Sequence, residues 1–459
     1  MKSKFHIIIT LIVLSFEMLN AQQSVGNYPY EWLNLGMSET PDKSQTIQWR
    51  TDTTMQSAVL QFKTDIPAPD LALNAQTINA ISAIHNDYGI VKSYHKAVLE
   101  NLLPDTKYIY RIGDGKKNWS EWIQFKSAKS GVNPFSFTYV ADVQSGILSH
   151  YPRVLRKSIE VSPESSFYLF TGDLTEKAED EELNNFFHAM SWIPGMKPIV
   201  AIPDNHEYHV KEGTKQRVEL ASVWGHLFSY PQNAPDSLAR LGNYCFDYQG
   251  VRFIMLNNKA FSDNESDYKN LLLGWMEDKL KTNPTNWTIV AHHQPMYSLA
   301  EGRANKTNVK YLKPLYEKYG VDLVLSGHDH GYSRISNRGN FAQKSKLAMP
   351  VYMVSVAGEQ MYVSQYPDSC DRMASNTQFF QKISLSNNIL NFKTYDAVGE
   401  LYDEFNLIKN KSNKTIFNKT PAYDERTDLP LSRKRKYSDE AWQELENHRQ
   451  EYLRNKKVK

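Results

Sequence analysis

The sequence predicts a multidomain chain in which an antiparallel β-sandwich precedes a layered α/β domain. Three observations carry this. The chain has 459 residues, more than a single hydrophobic core usually organises. From Gly26 to about Lys129, short stretches alternate polar and apolar residues between turns, with no helical period, as in a sandwich. From Asn133-Pro134 onward, apolar strands alternate with helical patterns, which marks βα units. The boundaries read as 26–130 for the sandwich, 134–409 for the α/β domain and 410–459 for a polar tail.

Residues 1–21 read as a signal peptide. Lys2 and Lys4 supply positive charge, residues 7–16 are apolar, and Ala21 closes a small-residue cleavage site before Gln22. The apolar run is shorter than the roughly 20 residues a membrane span needs. A secreted or periplasmic protein without a membrane span is therefore expected. Hydrophobic residues make up 41% and charged residues 23%, ordinary for a globular chain. A net charge of +2 gives no reason to expect a nucleic-acid partner. The two cysteines, Cys245 and Cys370, allow one disulfide or two buried thiols. They do not make a thiolate metal site, so a metal here must be held by oxygen and nitrogen.

In the sandwich, residues 46–50, 58–62 and 107–112 alternate. Pro104-Asp105 and Gly113-Asp114-Gly115 supply turns, and residues 122–125 another strand. In the α/β domain, residues 135–140, 167–170, 197–202, 251–256, 287–291 and 321–325 are apolar strands. Residues 154–161, 179–190, 271–280 and 309–319 carry the helical period. Beyond Gly331 the pattern returns to strands at 350–355, 378–385, 389–394 and 402–408. The tail holds Arg433-Lys434-Arg435-Lys436, read as a solvated segment, and a helix over 439–455 capped by Ser438.

Five strands end in groups that bind cations. The first leads to Asp142 and Gln144, the second to Gly172-Asp173, and the third to Asp204-Asn205-His206-Glu207. The strand over 287–291 leads to His292-His293, and that over 321–325 to Gly327-His328-Asp329-His330. A lone aspartate after a strand is usually a turn residue. Five strand ends bearing Asp, Asn and His together point to one ligand site, where open α/β sheets place their ligands. His328 and His330 are two apart in an extended segment and point the same way. His292 alternates away from His293 and reads as structural. His209 and Tyr297 are weaker candidates for a pocket wall.

Together, Asp142-x-Gln144, Gly172-Asp173, Asn205-His206-Glu207, His293-Gln294-Pro295-Met296-Tyr297 and Gly327-His328-Asp329-His330 resemble the calcineurin-like metallophosphoesterases. The nearest branch is that of the purple acid phosphatases. The stretch from His95 to Leu102, with Pro104-Asp105-Thr106-Lys107-Tyr108, is similar to the fibronectin type III-like domain that precedes the catalytic domain in that branch. The resemblance implies a four-layer αββα catalytic domain and a dinuclear centre of two divalent or trivalent ions, Fe, Mn or Zn. It implies that Asp173 bridges the ions, that Asp142, Gln144 and His330 hold one, and that Asn205, His293 and His328 hold the other. It further implies hydrolysis of a small phosphorylated substrate, a phosphate monoester, by a metal-activated hydroxide. His206 would be the leaving-group acid and Glu207 its orienting partner. The alternatives are phosphodiester or nucleotide hydrolysis at the same site, or a degenerate member that binds without turnover. The sandwich would pack on its neighbour or form a homodimer.

Two positions depart from the branch's pattern. Where the family's Gly-Asp motif is followed by an iron-binding tyrosine, this chain has Glu176, so no tyrosinate-to-iron absorption band is expected. Asp204 stands where glycine usually precedes Asn-His-Glu. An aspartate there adds charge beside the second ion and tests whether the loop needs a left-handed backbone.

Overall fold

The computed structural model describes residues 28–263, 266–336, 344–346, 349–410, 413–421 and 424–458. The signal peptide read at residues 1–21 lies outside them. The N-terminal part is a sandwich of two antiparallel sheets. One has the order Gln76–Asn79, Val59–Thr64, Lys107–Gly113 and Ile123–Lys126; the other contains Glu31–Gly36, Gln45–Thr51, Ile90–Leu99 and Ile81–Asp87. Leu35, Ile47, Trp49, Leu60, Tyr110 and Ile112 are fully buried or nearly so between them. These come from the alternating stretches, since successive strand residues face opposite sides.

The second of these sheets does not stop at the sandwich. Gly36 pairs in parallel with Ile199, which joins it to the strands Ile199–Ala201, Tyr168–Phe170 and Phe135–Val140 in one twelve-stranded sheet. The junction is reinforced by Arg50. Its guanidinium lies 3.2 Å over the Trp32 ring, donates to Glu31 at 2.6 Å, and pairs with Asp180 of the helix Asp180–Met190. Trp32 in turn donates to Asn184 Oδ1 at 2.7 Å.

The α/β half has four layers. The twelve-stranded sheet faces a seven-stranded one with the order Tyr244–Tyr248, Val251–Leu256, Trp287–His292, Leu323–Ser326, Val351–Val354, Tyr332–Ile335 and Arg372–Ala374. Phe137 meets Phe253 edge-on at 5.4 Å in the aromatic core between them. Ile289, Ala291, Leu323 and Leu325 join this inner core. Their neighbours Val290 and Val324 pack outward with Leu272, Met276, Leu312 and Tyr316, from the helices Ser266–Lys281 and Lys306–Lys318. Burial on both faces explains why these strands are continuously apolar. The helices Tyr151–Val161 and Asp180–Met190 bury Val154, Leu155, Leu183 and Phe186 on the opposite side.

Lys409 is not a structural break. The strand Leu401–Asn410 turns into Asn413–Asn418, with Leu407 opposite Ile416. The helix Asp439–Val458, capped by Ser438 Oγ on the Ala441 amide at 3.2 Å, buries Leu445 and Tyr452 in the outer core. The tail is thus packed on the domain. Its basic run forms a 3₁₀ segment, Leu431–Lys436. Cys245 and Cys370 are both free and buried.

Candidate metal centre

The strand ends converge. Ligand atoms of Asp173, His293 and His328 lie within 4.8 Å of one another, as do those of Asp142, Asp173 and His330. Asp173 belongs to both groups. One of its oxygens, Oδ2, is 2.9 Å from His293 Nε2, and the other, Oδ1, accepts the His206 amide at 3.1 Å. Asp142 Oδ1 stands 3.5 Å from His330 Nε2 and 3.8 Å from His293 Nε2.

The loops reach this arrangement through unusual backbone. Asp142, Asp173, His328 and His330 all adopt positive φ, between 44° and 73°. Such conformations are uncommon outside glycine, though Asp and His tolerate them better than most residues, and they gather at functional sites. Gly327 is needed because a Cβ there would collide with Asp142 Oδ2. The His328 amide can then donate to the Asp142 carboxylate at 2.9 Å.

Each imidazole is fixed by its far nitrogen. His293 Nδ1 lies 2.6 Å from the Thr171 carbonyl and His330 Nδ1 2.7 Å from the Gln360 carbonyl. Carbonyls only accept, so both rings carry the proton on Nδ1 and turn Nε2 toward the carboxylates. That is the tautomer a metal ligand needs. Burial lowers His330 to about 3 and His328 well below its ordinary value, helped by His293 and Arg303. Burial opposes charge on His293 too, but Asp173, Asp204 and Asp142 outweigh it and raise that ring well above the usual range. Burial raises Asp142, with Asp173 adding to the effect and His293 opposing it. Asp173 is buried as well, yet His293 and His206 hold it low.

The donor set fits cations. Gln144 Oε1 and Asn205 Oδ1 are buried without a hydrogen-bond partner, and unsatisfied polar atoms are costly in a dry interior. The carboxylate, amide and imidazole chemistry of the set suits Fe, Mn or Zn. Gln144 Nε2 lies 3.3 Å from His330 Nε2 and 3.4 Å from His206 Nε2, which places its side chain among the candidate ligands.

His206 sits at the rim, 12% exposed, with Nε2 3.9 Å from Asp173 Oδ2. The Glu176 carbonyl accepts from His206 Nδ1 at 2.6 Å and from Arg217 Nη2 at 3.1 Å. The orienting group for His206 is therefore the Glu176 backbone, braced by Arg217, and the expectation for Glu207 is corrected. Glu207 is buried and holds three amides instead. It accepts from Asp173 N at 3.1 Å, Asp204 N at 2.8 Å and Leu174 N at 2.8 Å. The 3₁₀ turn Asn205–Glu207 sends it back under the loop. Asp204 has φ −144°, an extended value any residue adopts, so this loop does not need glycine. Its Oδ1 accepts the Asn205 amide at 2.7 Å, and its Oδ2 is buried without a partner. The Glu176 side chain turns to Ser145 Oγ, 2.9 Å away.

His292 packs away from the centre, against Tyr316 and the Gln294 carbonyl. Tyr297 meets Tyr352 beside the outer core. His209 touches Tyr88 of the sandwich at 4.0 Å. Residues not singled out in the sequence also matter. Tyr362 packs on His330 at 4.3 Å, and Arg303 donates to the His328 carbonyl at 2.6 Å. Neither stands at a strand end, the signal by which the ligands are found.

Comparisons with known proteins find relatives for both halves of the chain. The family described as "Purple acid Phosphatase, N-terminal domain" matches residues 31–127, and "Calcineurin-like phosphoesterase" matches residues 135–332. The Fe(3+)-Zn(2+) purple acid phosphatase 12 of Arabidopsis thaliana is 26% identical over 281 residues, covering 54% of this chain and 53% of that one. A purple acid phosphatase of Glycine max is 26% identical over 272 residues, covering 54% of each. The chain thus spans about half the length of these relatives. The solved structure of purple acid phosphatase PPD1 from yellow lupin seeds shares the fold, with a TM-score of 0.66 at 17% identity over 84% of this chain and 75% of that one.

Proposed function

Because the chain is a calcineurin-like metallophosphoesterase carrying a purple acid phosphatase N-terminal domain, we propose that it is an exported hydrolase of phosphate monoesters. The observation that carries this is Asp173, whose carboxylate is common to two groups of potential ligands. Asp142, Gln144 and His330 would complete one ion's shell; Asn205, His293 and His328 would complete the other's. A pair of such ions supplies Lewis acidity to the phosphoryl oxygens and lowers the pKa of an intervening water.

The chain's own groups do the rest. Asp173 and Asp142 would offset the positive charge of bound ions. The carbonyls of Thr171 and Gln360 keep His293 and His330 in the ligating tautomer. The Glu176 carbonyl fixes Nδ1 of His206, so Nε2 faces the centre. In its charged form that ring carries a proton on Nε2, ready for the departing alkoxide oxygen. Asp204 fills the place of the family glycine without distorting the loop, which supports a working enzyme over a degenerate one. Export rests on the basic and apolar pattern of residues 1–21. Among the described residues, no helix is long and apolar enough to cross a membrane.

Elemental analysis of the purified protein should find up to two ions per chain, with release of phosphate from an aryl monoester faster than from an aryl diester. Asp173→Asn should lower both metal content and rate, by at least the roughly 10–100-fold seen when a group supporting a metal site is lost. Full activity in that variant would overturn the reading.

A further inference from the structure

The basic run of the tail, exposed except for the half-buried Arg433, lines a cavity that two residues link to the candidate metal ligands. A cavity of about 960 Å³ has a wall that includes Ser145, Gln360, Arg153, Arg433, Arg435 and Lys436. Two of these residues tie it to the ligands. Ser145 follows Gln144 in the chain and donates to Glu176, whose carbonyl fixes His206. Gln360 supplies the carbonyl that fixes His330. The cavity is therefore one residue removed from the candidate ligands on two sides.

The charge on the far wall is uneven. Arg426 is neutralised by Asp396 at 2.6 Å and Glu400 at 2.9 Å, and Glu359 faces His150 at 2.7 Å. Among the described residues of the lining, Arg153 donates to Gln378 at 3.1 Å, and neither it nor Arg433, Arg435 or Lys436 has a carboxylate within ion-pair distance. Arg433 is held in place: Nε donates to the Met361 carbonyl at 2.6 Å, and its guanidinium lies 4.6 Å over the Tyr362 ring, which packs on His330. Its Nη2 is buried with no hydrogen-bond partner. Five Arg and Lys side chains against three carboxylates, Glu359, Asp396 and Glu400, leave the lining a net +2 with His150 uncharged, a surplus that gathers on the side of Arg433, Arg435 and Lys436 and favours an anion there, and guanidinium forks match phosphate and carboxylate oxygens.

We propose that this cavity is a subsite for a second anionic group of the substrate, so the preferred monoesters carry a further phosphate or carboxylate beyond the one cleaved. This rests on the phosphoesterase reading above and names the substrate class. The tail helix serves it by anchoring the basic segment through Leu445 and Tyr452.

The test is the full-length, metal-loaded protein assayed with phenyl phosphate, fructose 6-phosphate, fructose 1,6-bisphosphate and inositol hexakisphosphate. The polyanionic esters should have the higher kcat/KM, and that preference should shrink as salt rises. The double variant Arg435→Gln/Lys436→Gln should reduce the ratio of kcat/KM for bisphosphate over phenyl phosphate by about tenfold, the scale of one charge-assisted hydrogen bond. Lys434→Gln, whose lysine faces Asp439 at 3.5 Å, should leave the ratio unchanged. Phosphate release from phenyl phosphate with no preference for the polyanions, or an unchanged ratio in the double variant, would overturn the subsite alone. No release from any substrate by the metal-loaded protein would overturn the phosphoesterase reading itself.

Discussion

Replacing Glu207 separates a scaffold role from a catalytic one. The carboxylate receives three buried amides, those of Asp173, Leu174 and Asp204, at 2.8–3.1 Å. These amides hold two of the loops that carry ligands. Glu207→Ala would leave all three without an acceptor. A buried unsatisfied group costs about 1–3 kcal/mol, so partial relaxation and water entry still leave an expected loss of about 3–5 kcal/mol. Glu207→Gln keeps one acceptor oxygen but turns an NH₂ toward an amide, and should cost about 1–2 kcal/mol. Denaturant unfolding of both variants, with metal content measured on the same samples, gives the answer. Stability and metal content should fall together, in the order wild type, Gln, Ala. If Glu207→Gln unfolded like wild type, kept its metal and lost only kcat, Glu207 would be acting on the reaction itself and the scaffold account would be wrong.

Other perturbations have distinct signatures. His206→Gln should lower kcat by about 10²–10⁴ for alkyl phosphates, whose leaving group needs a proton, and much less for p-nitrophenyl phosphate, with metal content unchanged. Gly172 has φ +92°, and a Cβ there would sit 3.1 Å from both Asp204 Cβ and His293 Nδ1. Gly172→Ala should therefore destabilise the fold by about 1–3 kcal/mol, read as a lower unfolding midpoint. His95 is buried between Thr51 Oγ1 and Ser82 Oγ, each at 2.8 Å, and burial pulls it from 6.5 to about 4. A depressed folded-state value means the unfolded chain binds the proton first. Its contribution, about 3 kcal/mol, is present above pH 6.5 and fades as pH falls toward 4. The pH dependence of unfolding in that window should flatten in His95→Gln.

Much of the centre is legible in the sequence because the candidate metal ligands stand where strands end, and strands announce themselves by apolar runs. Asp142, Asp173, Asn205, His293, His328 and His330 all follow such runs. The direction of a side chain after the strand is not legible in the same way. Glu207 follows His206 directly, but a 3₁₀ turn sends it under the loop while His206 stays at the rim. Arg217 and Tyr362 reach the site from a hairpin and a loop, where no periodicity marks them. The sandwich strands are also legible, but the parallel pairing of Gly36 with Ile199 is not. It joins residues far apart in the chain, and nothing local encodes it.

That pairing carries a consequence for dissection of the molecule. Cutting the chain near Asn133 to isolate the catalytic part would strip the strand Glu31–Gly36 from its neighbour. The backbone of Ile199–Ala201 would become a naked sheet edge, open to strand addition from another copy. This edge lies only a few residues ahead of Asp204 and Asn205. The N-terminal module is thus a permanent cover for the strand that delivers them, and a truncated protein should self-associate and lose its hold on metal before any question of catalysis arises.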